Sequence, residues 1–303
     1  MKIDTPNKQE LQREFLFTND DFDTVRKLIY GHAGINLSST KKDMVYSRLG
    51  RRLRATGYKK FSDYILALDN GKGGEWESFV NALTTNLTSF FREAHHFPVL
   101  AAHVKQCKQR PIQIWCNAAS TGEEPYTIAM TLVDAFDSFT PPVRIIATDI
   151  DTQALQKAST GVYTLEQVEK LPKETLQRFF LKGRGKQQGQ VKIRDELRAL
   201  ISFSQLNLQD AWPVTGPFDA IFCRNVMIYF DKATQHKILQ KFAPIMQPDA
   251  LLFAGHSESL LDLTDLFKSR GKTVYGLSDK YLQNNVHLQN NMHLKTNAGL
   301  TSK

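Results

Sequence analysis

The hydrophobic residues of the first ~85 positions recur at helical spacing, and no stretch alternates as a strand does. The apolar positions predicted to share a helix face are Phe22, Val25, Leu28 and Ile29, then Val45, Leu49 and Leu53, then Phe61, Ile65 and Leu68, and last Trp76, Phe79, Val80, Leu83 and Leu87. The residues predicted to bound these helices are Asn19, Gly31 and Gly34 for the first, Ser39 or Thr40 for the second, and Asn70-Gly71 for the third. The spacing predicts an all-α domain over residues 16–84, preceded by an extension, residues 1–15.

From Pro111 onward the pattern changes to short apolar strands separated by helix-length segments. Strands are predicted at Pro111–Cys116, Val143–Thr148, Phe218–Cys223, Ala250–Ala254 and Thr273–Leu277, with a helix at Glu124–Phe136. Such alternation predicts an α/β domain with a doubly wound, mostly parallel sheet. Between residues 160 and 202 the alternation stops, and three glycines among β-prone pieces predict a small β-subdomain. The polar, unpatterned residues 285–303 predict a disordered tail.

The composition is that of a globular protein, and it indicates the cellular compartment in which the protein works. No apolar run approaches the ~20 residues of a membrane span, and the N-terminus lacks the apolar core of a signal peptide. The three cysteines are scattered, which is typical of a reducing compartment. We therefore expect a cytoplasmic protein. The formal charge of +8 favours an acidic partner, although it can equally serve solubility alone.

Three polar segments follow predicted strands, where an open α/β sheet binds its ligands. The first, CNAASTGEEPY at 116–126, is not a GxGxxG loop, and its two glutamates favour a ligand with an ammonium or sulfonium group. They can equally complement the helix dipole. Asp149 in the second segment is placed to accept bonds from both ribose hydroxyls of an adenosine, whereas Asp151 can cap a helix. The third segment places Arg224, Asn225 and Tyr229 beyond a buried strand.

Two other motifs lack the spacing that their chemistry needs. The GHSES segment at 255–259 differs from a GxSxG nucleophile elbow because Ser259 replaces the second glycine. His95 and His96 are adjacent, so we expect them to point apart on a helix and to form no zinc pair. The sequence therefore predicts neither a metal nor a Ser-His-Asp hydrolase.

Five segments together resemble the chemotaxis receptor methyltransferases, the CheR family, over residues ~16–280. They are TNLTSFFREAHHFP (85–98), AASTGEEPYTIA (118–129), ATDIDTQAL (147–155), FDAIFCRNVMIYFDKATQ (218–235) and PDALLFAGHSESL (248–260). The resemblance implies a Rossmann-like class I S-adenosylmethionine methyltransferase domain over 99–284, with the β-subdomain at about 160–202. It also implies that residues 85–98 form a linker that contributes to the cofactor site.

The resemblance further implies the reaction and the residues that carry it. The family transfers a methyl group from S-adenosylmethionine to glutamate γ-carboxylates on chemoreceptor cytoplasmic helices, which yields methyl esters and S-adenosylhomocysteine and serves sensory adaptation. Arg92 and Tyr229 are the implied catalytic residues, and motif alignment prefers Glu124 over Glu123. The implied cofactor-binding residues are Asn86, Thr88, Arg92, Glu124, Asp149, Asn207, Leu208, Arg224 and Asn225.

Chemoreceptors are the partners that the resemblance implies, and we expect a monomer that neither binds nucleic acid nor inserts into a membrane. The basic side of the second predicted helix, formed by Arg48, Arg51, Arg52 and Arg54, is predicted to guide the enzyme onto an acidic receptor helix. A simple solvated helix face is the alternative. The spacing of the glycines at 183, 185 and 189 resembles that in family members whose β-subdomain binds a receptor's C-terminal peptide by strand addition.

Two alternatives remain open at the level of sequence. One is an S-adenosylmethionine-dependent methyltransferase of nucleic acid or of a small molecule, with the basic helix contacting phosphates. The other is a non-catalytic regulator that binds S-adenosylmethionine only to sense it. The ordered motifs, together with Arg92 and Tyr229, favour the receptor methyltransferase.

Overall fold

The computed structural model of the chain describes residues 13–71, 74–107, 111–260 and 264–284. The predicted tail at 285–303 and most of the predicted N-terminal extension at 1–15 lie outside these ranges. Among the described residues, none of the helices has the length and apolar composition of a membrane-spanning segment.

The N-terminal part consists of helices, as predicted, and the structure corrects their boundaries. The helices are α1 (Asn19–Ala33), α2 (Lys42–Thr56), α3 (Phe61–Asp69) and α4 (Trp76–Leu83). Thr18, not Asn19, caps α1, because its side chain and that of Asp21 each accept the other residue's backbone N–H. A short 3₁₀ turn over Ser39–Lys41 precedes α2, so the residues predicted to cap that helix lie before its first turn.

The apolar faces of α1–α4 converge on a single core, which agrees with the predicted helical spacing. Its fully buried members include Val25, Leu49, Phe61 and Phe79. Each large side chain removed from water contributes roughly 1.5–3 kcal/mol to stability. The core therefore holds the four helices together as one layer beside the α/β part.

The prediction that Leu87 belongs to the apolar face of the fourth helix is wrong. Helix α4 ends at Leu83, and the Leu87 side chain is 80% exposed. The hydroxyl of Thr84 donates a hydrogen bond of 2.6 Å to Asp151, which turns the chain out of the helix and across to the sheet. The segment after α4 is therefore a linker between the two parts of the protein.

The C-terminal part is the predicted α/β domain. Its strands are β1 (Ile112–Cys116), β2 (Val143–Asp149), β3 (Val162–Thr164), β4 (Phe180–Lys182), β5 (Gln190–Ile193), β6 (Ile201–Gln205), β7 (Phe218–Cys223), β8 (Met246–Ala254), β9 (Phe267–Gly271) and β10 (Val274–Leu277). Its helices are α5 (His96–Val104), α6 (Glu123–Phe136), α7 (Thr152–Thr160), α8 (Leu165–Val168), α9 (Lys173–Phe179), α10 (Asp195–Arg198) and α11 (Lys232–Phe242).

Seven strands form one sheet in the order β6-β2-β1-β7-β8-β10-β9. All pairs from β6 to β8 are parallel, and β10 is antiparallel to both of its neighbours. The order reverses direction after β1, which places a crevice at the carboxyl ends of the central strands. The doubly wound, mostly parallel sheet is confirmed. The edge strands β6 and β9 were not predicted, because ISFSQ and FKSRG lack the continuous apolar run of the central strands.

The predicted small β-subdomain is also confirmed. Strands β3, β5 and β4 form a separate antiparallel sheet, and the short helices α8, α9 and α10 connect and flank them. Gly183 lies where the chain turns after β4, and a Cβ atom there would lie only 2.1 Å from the carbonyl oxygen of Gln187. A side chain at this position would therefore force the turn open.

The helical domain contacts the carboxyl ends of the sheet strands directly. The backbone N–H of Asn36 donates a hydrogen bond of 2.8 Å to the carbonyl of Tyr229. The side-chain amide of Asn207 donates to the carbonyl of His32 at 2.7 Å. These bonds fix the ends of α1 and of the loop after it against the loops that follow β7 and β6.

Candidate active site

A cleft of about 540 Å³ lies between the helical domain and the carboxyl ends of the sheet strands. Leu37 and Arg48 line it from the helical domain, and Tyr229 lines it from the sheet side. Every residue implied to bind the cofactor also lines this cleft: Asn86, Thr88, Arg92, Glu124, Asp149, Asn207, Leu208, Arg224 and Asn225. The fold thus brings together side chains from the linker and from the loops after β1, β2, β6 and β7.

Asp149 is the last residue of β2, and its carboxylate faces the loop that follows β1. Its oxygens accept hydrogen bonds from the backbone N–H groups of Ser120, at 2.7 Å, and of Asp151, at 2.9 Å. Burial raises the pKa of Asp149 to about 6, and these backbone bonds oppose the rise. A carboxylate has about four acceptor positions, so the ionised Asp149 can still accept a bond from a hydroxyl group such as those of a ribose.

The two glutamates at the start of α6 lie in different surroundings. Glu124 is buried, lines the cleft, and places Oε2 at 2.5 Å from Nη1 of Arg224. Glu123 instead accepts hydrogen bonds from Thr121 at 2.6 Å and from Gln167 at 3.2 Å, and it is not part of the cleft lining. Arg224 balances the charge of Glu124. The attraction of this end of the cleft for a cationic ligand is therefore weaker than the two adjacent glutamates in the sequence would predict.

Arg224 is completely buried and joins the sheet to the linker. Besides its bond to Glu124, it donates to the carbonyl oxygen of Arg92 at 2.5 Å and lies 3.4 Å from a carboxylate oxygen of Glu93. Removing one partner from such a buried ion pair typically costs 3–5 kcal/mol. Arg224 therefore fixes the backbone at residues 92 and 93, in addition to lining the cleft.

The side chain of Arg92 keeps most of its hydrogen-bonding capacity free. One guanidinium nitrogen donates to the carbonyl of Leu87 at 2.9 Å, and no carboxylate lies within ion-pair distance among residues 13–71, 74–107, 111–260 and 264–284. A guanidinium has five N–H donors arranged as a planar fork that matches a carboxylate. Because Arg92 lines the cleft, it can hold a carboxylate of a bound ligand.

Asp151 holds the linker in place, and its predicted helix-capping role is confirmed. One oxygen accepts from the backbone N–H of Ala154 at 3.0 Å and so caps α7. The other accepts from Thr84 at 2.6 Å and from the side-chain amide of Asn86 at 2.7 Å. Asp151 thereby orients the Asn86 side chain at the cleft, although Asp151 does not itself line the cleft.

The floor of the cleft contains a polar group with unused bonding capacity. Asn117 is 2% exposed, and in the described part of the chain its amide interacts with the weakly bonding thiol of Cys223 and has no stronger hydrogen-bonding partner. A buried amide left in this state costs free energy. Together with Arg92 and Asp149, it fits a ligand that carries a carboxylate, a ribose and further polar atoms, as S-adenosylmethionine does.

Tyr229 lies in a 3₁₀ turn, Met227–Tyr229, just after β7, and it is half-buried. Glu258, which the sequence analysis did not single out, holds this turn. Its buried carboxylate accepts the backbone N–H groups of Asn225 at 2.8 Å, Ile228 at 3.3 Å and Gly255 at 2.6 Å. The signal was present in the GHSES segment, but only the fold shows which N–H groups the glutamate accepts.

The expectation that His95 and His96 point apart is wrong. His95 precedes the first turn of α5, and the two rings lie 4.2 Å apart with both Nε2 atoms near the carbonyl of Lys272. Glu93, His95 and His96 each place one potential ligand atom within 4.8 Å of the others. The Arg224 guanidinium beside Glu93 disfavours a cation there, but the absence of a metal stays a prediction.

The carboxylate of Glu93 connects this cluster to the cleft. It accepts hydrogen bonds from the backbone N–H and the ring of His256, at 3.2 and 3.1 Å, and from the side chain of Asn225 at 3.3 Å. Burial opposes the ionisation of Glu93, but the bonds from His256 and the charge of Arg224 outweigh it and lower its pKa to about 2. Burial, with a further effect of Arg224, lowers the pKa of His96 to about 4, so this ring is neutral near pH 7.

The four arginines of α2 differ in how far they are engaged within the protein. Arg48 donates to the last carbonyls of α4, and Arg52 makes a bidentate ion pair with Glu75 at 2.9 Å. Arg54 forms an exposed pair with Glu14 at 2.9 Å. Arg51 is exposed and has no ion-pair partner among the described residues. Arg51 is therefore the most available of the four to an external carboxylate.

The sheet order, the reversed β10 and the composition of the cleft define a class I S-adenosylmethionine-dependent methyltransferase. Two domain models of one family match the chain: "CheR methyltransferase, all-alpha domain" over residues 20–84 and "CheR methyltransferase, SAM binding domain" over residues 86–276. The chain belongs to the CheR methyltransferase family.

Curated relatives extend this similarity over nearly the whole chain. A Pseudomonas aeruginosa protein named chemotaxis protein methyltransferase 2 is 50% identical over 278 residues, which cover 91% of this chain and 99% of the relative. Chemotaxis protein methyltransferases of Salmonella typhimurium and Escherichia coli are each 49% identical over 271 residues, which cover 89% of this chain and 94% of each relative. The similarity is therefore to complete relatives and includes both domains.

Proposed function

We propose that the protein methylates the γ-carboxylates of glutamates on the cytoplasmic helices of chemoreceptors, for sensory adaptation in chemotaxis. The observation that carries the proposal is the cleft itself. It combines the Arg92 guanidinium, most of whose donors are unused, with the Asp149 carboxylate and Tyr229, and the helical domain lines the same cleft. Chemoreceptors are the substrates that the chemotaxis relatives suggest.

Arg92 binds the methionyl carboxylate of S-adenosylmethionine, and Asp149 binds the ribose hydroxyls. A guanidinium placed on the attacking glutamate would reduce its nucleophilicity, so Arg92 serves the cofactor better than the substrate. Its single internal bond, to Leu87, leaves the paired donors that a carboxylate needs. Asn86, held by Asp151, and Asn117 at the floor of the cleft supply further polar contacts.

The proposed reaction does not need a nucleophile or a general base from the protein. When bound, S-adenosylmethionine supplies a methyl group on a positively charged sulfur. A glutamate has a pKa of about 4.3 and arrives from the receptor already ionised, so the protein does not have to remove a proton. Tyr229 orients this carboxylate with one weak hydrogen bond from its hydroxyl.

The remaining work of the protein is to align the reactants and to exclude water. Water stabilises separated opposite charges more than it stabilises a transition state in which they cancel, so a dry site favours the transfer. Positioning two reactants can itself contribute roughly 7–11 kcal/mol. The turn fixed by Glu258 and the linker fixed by Arg224 give the cleft two rigid walls for this purpose.

The proposed encounter surface is the basic side of α2, formed by Arg48, Arg51, Arg52 and Arg54. Arg48 and Arg51 also line a groove of about 360 Å³ next to the cleft. Exposed charge pairs contribute only about 0–1 kcal/mol each, so this surface should act mainly on the rate of encounter and on its salt dependence.

The second proposed receptor contact is the β-subdomain. One of its two edge strands, β4, is short and carries the exposed Leu181 and Lys182. An extended receptor peptide can add to this edge by backbone pairing. The turn after β4 depends on Gly183, so this edge has a fixed backbone.

The proposal is tested by incubating the full-length protein with labelled S-adenosylmethionine and receptor-bearing membranes. We expect a base-labile methyl ester on receptor glutamates, with less label at low cofactor concentration for the Arg92→Ala control. Label on RNA, or retention of the cofactor without any transfer, would contradict it.

A further inference from the structure

Two large apolar side chains at the cleft remain exposed to solvent. Leu87, on the linker, is 80% exposed, and Ile228, next to Tyr229, is 53% exposed, although both line the cleft. Neither belongs to the buried or partly buried members of the three hydrophobic cores of the described residues. Large exposed apolar side chains are ordinary when scattered, but two of them lining one cleft call for a physical explanation.

The backbone that carries these side chains is fixed. The carbonyl of Leu87 accepts a hydrogen bond of 2.9 Å from Arg92, and the N–H of Ile228 donates one of 3.3 Å to buried Glu258. Loose loops therefore do not account for the exposure. The protein presents two apolar groups on anchored segments, one on each of the two stretches of chain that carry the proposed catalytic residues.

We infer that Leu87 and Ile228 form an apolar rim that contacts the substrate helix, and that this rim selects target carboxylates flanked by apolar side chains one helical turn away. The inference rests on the proposed function and deepens it. The partner is a helix with acidic and apolar residues on one face, because residues three or four apart lie side by side on a helix. Its acidic part faces the basic groove beside the cleft.

Charge complementarity supports an acidic amphipathic helix as the occupant. Lys41 and Arg48 line the same cleft as the rim, and Arg51 lines the adjoining groove. An occupant that covered only the rim would leave Lys41 and Arg51 without an external carboxylate. An occupant that contacted only the cations would leave the two apolar side chains in water. A helix with both kinds of residue satisfies both sets.

The rim also explains how an open cleft becomes dry. Leu87 and Ile228 line the same cleft as Tyr229, and their exposed surfaces cannot hold water by hydrogen bonding. When apolar side chains of the substrate cover them, water is displaced from the cleft at the moment the carboxylate arrives. Docking and water exclusion are then the same event.

The test uses single Leu87→Asn and Ile228→Asn variants of the full-length protein with a purified cytoplasmic fragment of a chemoreceptor. Each variant should raise the KM for the fragment about tenfold, which corresponds to losing most of the burial of one aliphatic side chain. The dissociation constant for S-adenosylmethionine should stay within about twofold of the wild type. Leu66→Asn is the matched control, because Leu66 is 61% exposed on α3 and lies away from the cleft.

A KM within twofold of the wild type for both rim variants would overturn the inference, as would an equal loss for Leu66→Asn. Binding of the fragment in the presence of S-adenosylhomocysteine, measured by calorimetry, separates this inference from the proposed function. A wild-type protein that binds the fragment through the rim but methylates no glutamate contradicts only the proposed function. A wild-type protein that does not bind the fragment contradicts both.

Discussion

Protonation of Asp149 should control the affinity for S-adenosylmethionine between pH 5 and 7. Its carboxylate is buried at the end of β2, and its pKa lies at about 6. Binding the ribose requires an oxygen that accepts bonds, whereas a protonated carboxyl has lost its charge and one acceptor position. Because the pKa is raised above its ordinary value, the group loses its charge as the pH falls through 6, and cofactor affinity should fall with it.

The size of this effect follows from the fraction of ionised Asp149. With a pKa of about 6, roughly nine-tenths of the carboxyls are ionised at pH 7 and roughly one-tenth at pH 5. The affinity should therefore fall about tenfold between these two pH values. Near pH 6, binding should release about half a proton. The α-amino and α-carboxyl groups of the cofactor have ordinary pKa values of about 8 and 3.5, so neither titrates in this window.

Calorimetric titrations from pH 5 to 7, in two buffers of different ionisation enthalpy, measure both quantities. Asp149→Asn should bind more weakly, by roughly 10- to 150-fold at pH 7 if 1.5–3 kcal/mol of charged hydrogen bonding is lost, and without this pH dependence. Asp63→Asn, an exposed change on α3, should keep the wild-type profile. A wild-type affinity that stays constant from pH 7 to 5, or an Asp149→Asn variant with the same slope, would refute this reasoning.

Three further predictions follow from the contacts of individual residues. Arg92→Ala should raise the dissociation constant of S-adenosylmethionine by roughly 10- to 150-fold, as measured by calorimetry. Tyr229→Phe should lower kcat about two- to tenfold in steady-state kinetics and leave the dissociation constant of S-adenosylmethionine near the wild-type value. The reverse pattern would assign cofactor binding to Tyr229 and the catalytic role to Arg92. Arg51→Glu combined with Arg54→Glu should reduce receptor methylation about two- to tenfold at low salt, and less at high salt. Unaltered methylation at low salt would leave α2 a simple solvated face. Glu258→Gln should lower the free energy of unfolding by about 1–3 kcal/mol and also lower kcat, because an amide nitrogen would face backbone N–H donors. Denaturant unfolding and kinetics that both match the wild type would contradict this.

The local pattern of the sequence was sufficient to predict the class of fold. The apolar residues before residue 85 have helical spacing, and those after residue 111 form short continuous runs. Both patterns show which side of a helix or strand is buried, and they can be read from residues that are close in sequence. The same pattern placed Asp149, Arg224 and Tyr229 at strand ends. Since parallel strands share their carboxyl edge, such residues are expected to lie close together, and all three line the cleft.

The tertiary structure shows where hydrogen bonds between residues far apart in sequence override the local preference for a helix. Leu87 has helical spacing, but Asp151 bonds to Thr84 and turns the chain out of α4, so Leu87 becomes exposed. Glu258 lies in the GHSES segment, and two of its three N–H partners, Asn225 and Ile228, are about 30 residues away in sequence.

The sequence by itself thus determined the helical domain, the doubly wound sheet and the set of residues at its carboxyl edge. Only the tertiary structure decided which charges are already neutralised within the protein and which remain for a ligand. Arg224 is balanced by Glu124 and Arg52 by Glu75, whereas Arg92 keeps most of its donors free. The physical reason is that burial and pairing depend on residues far apart in the chain, which no local pattern records.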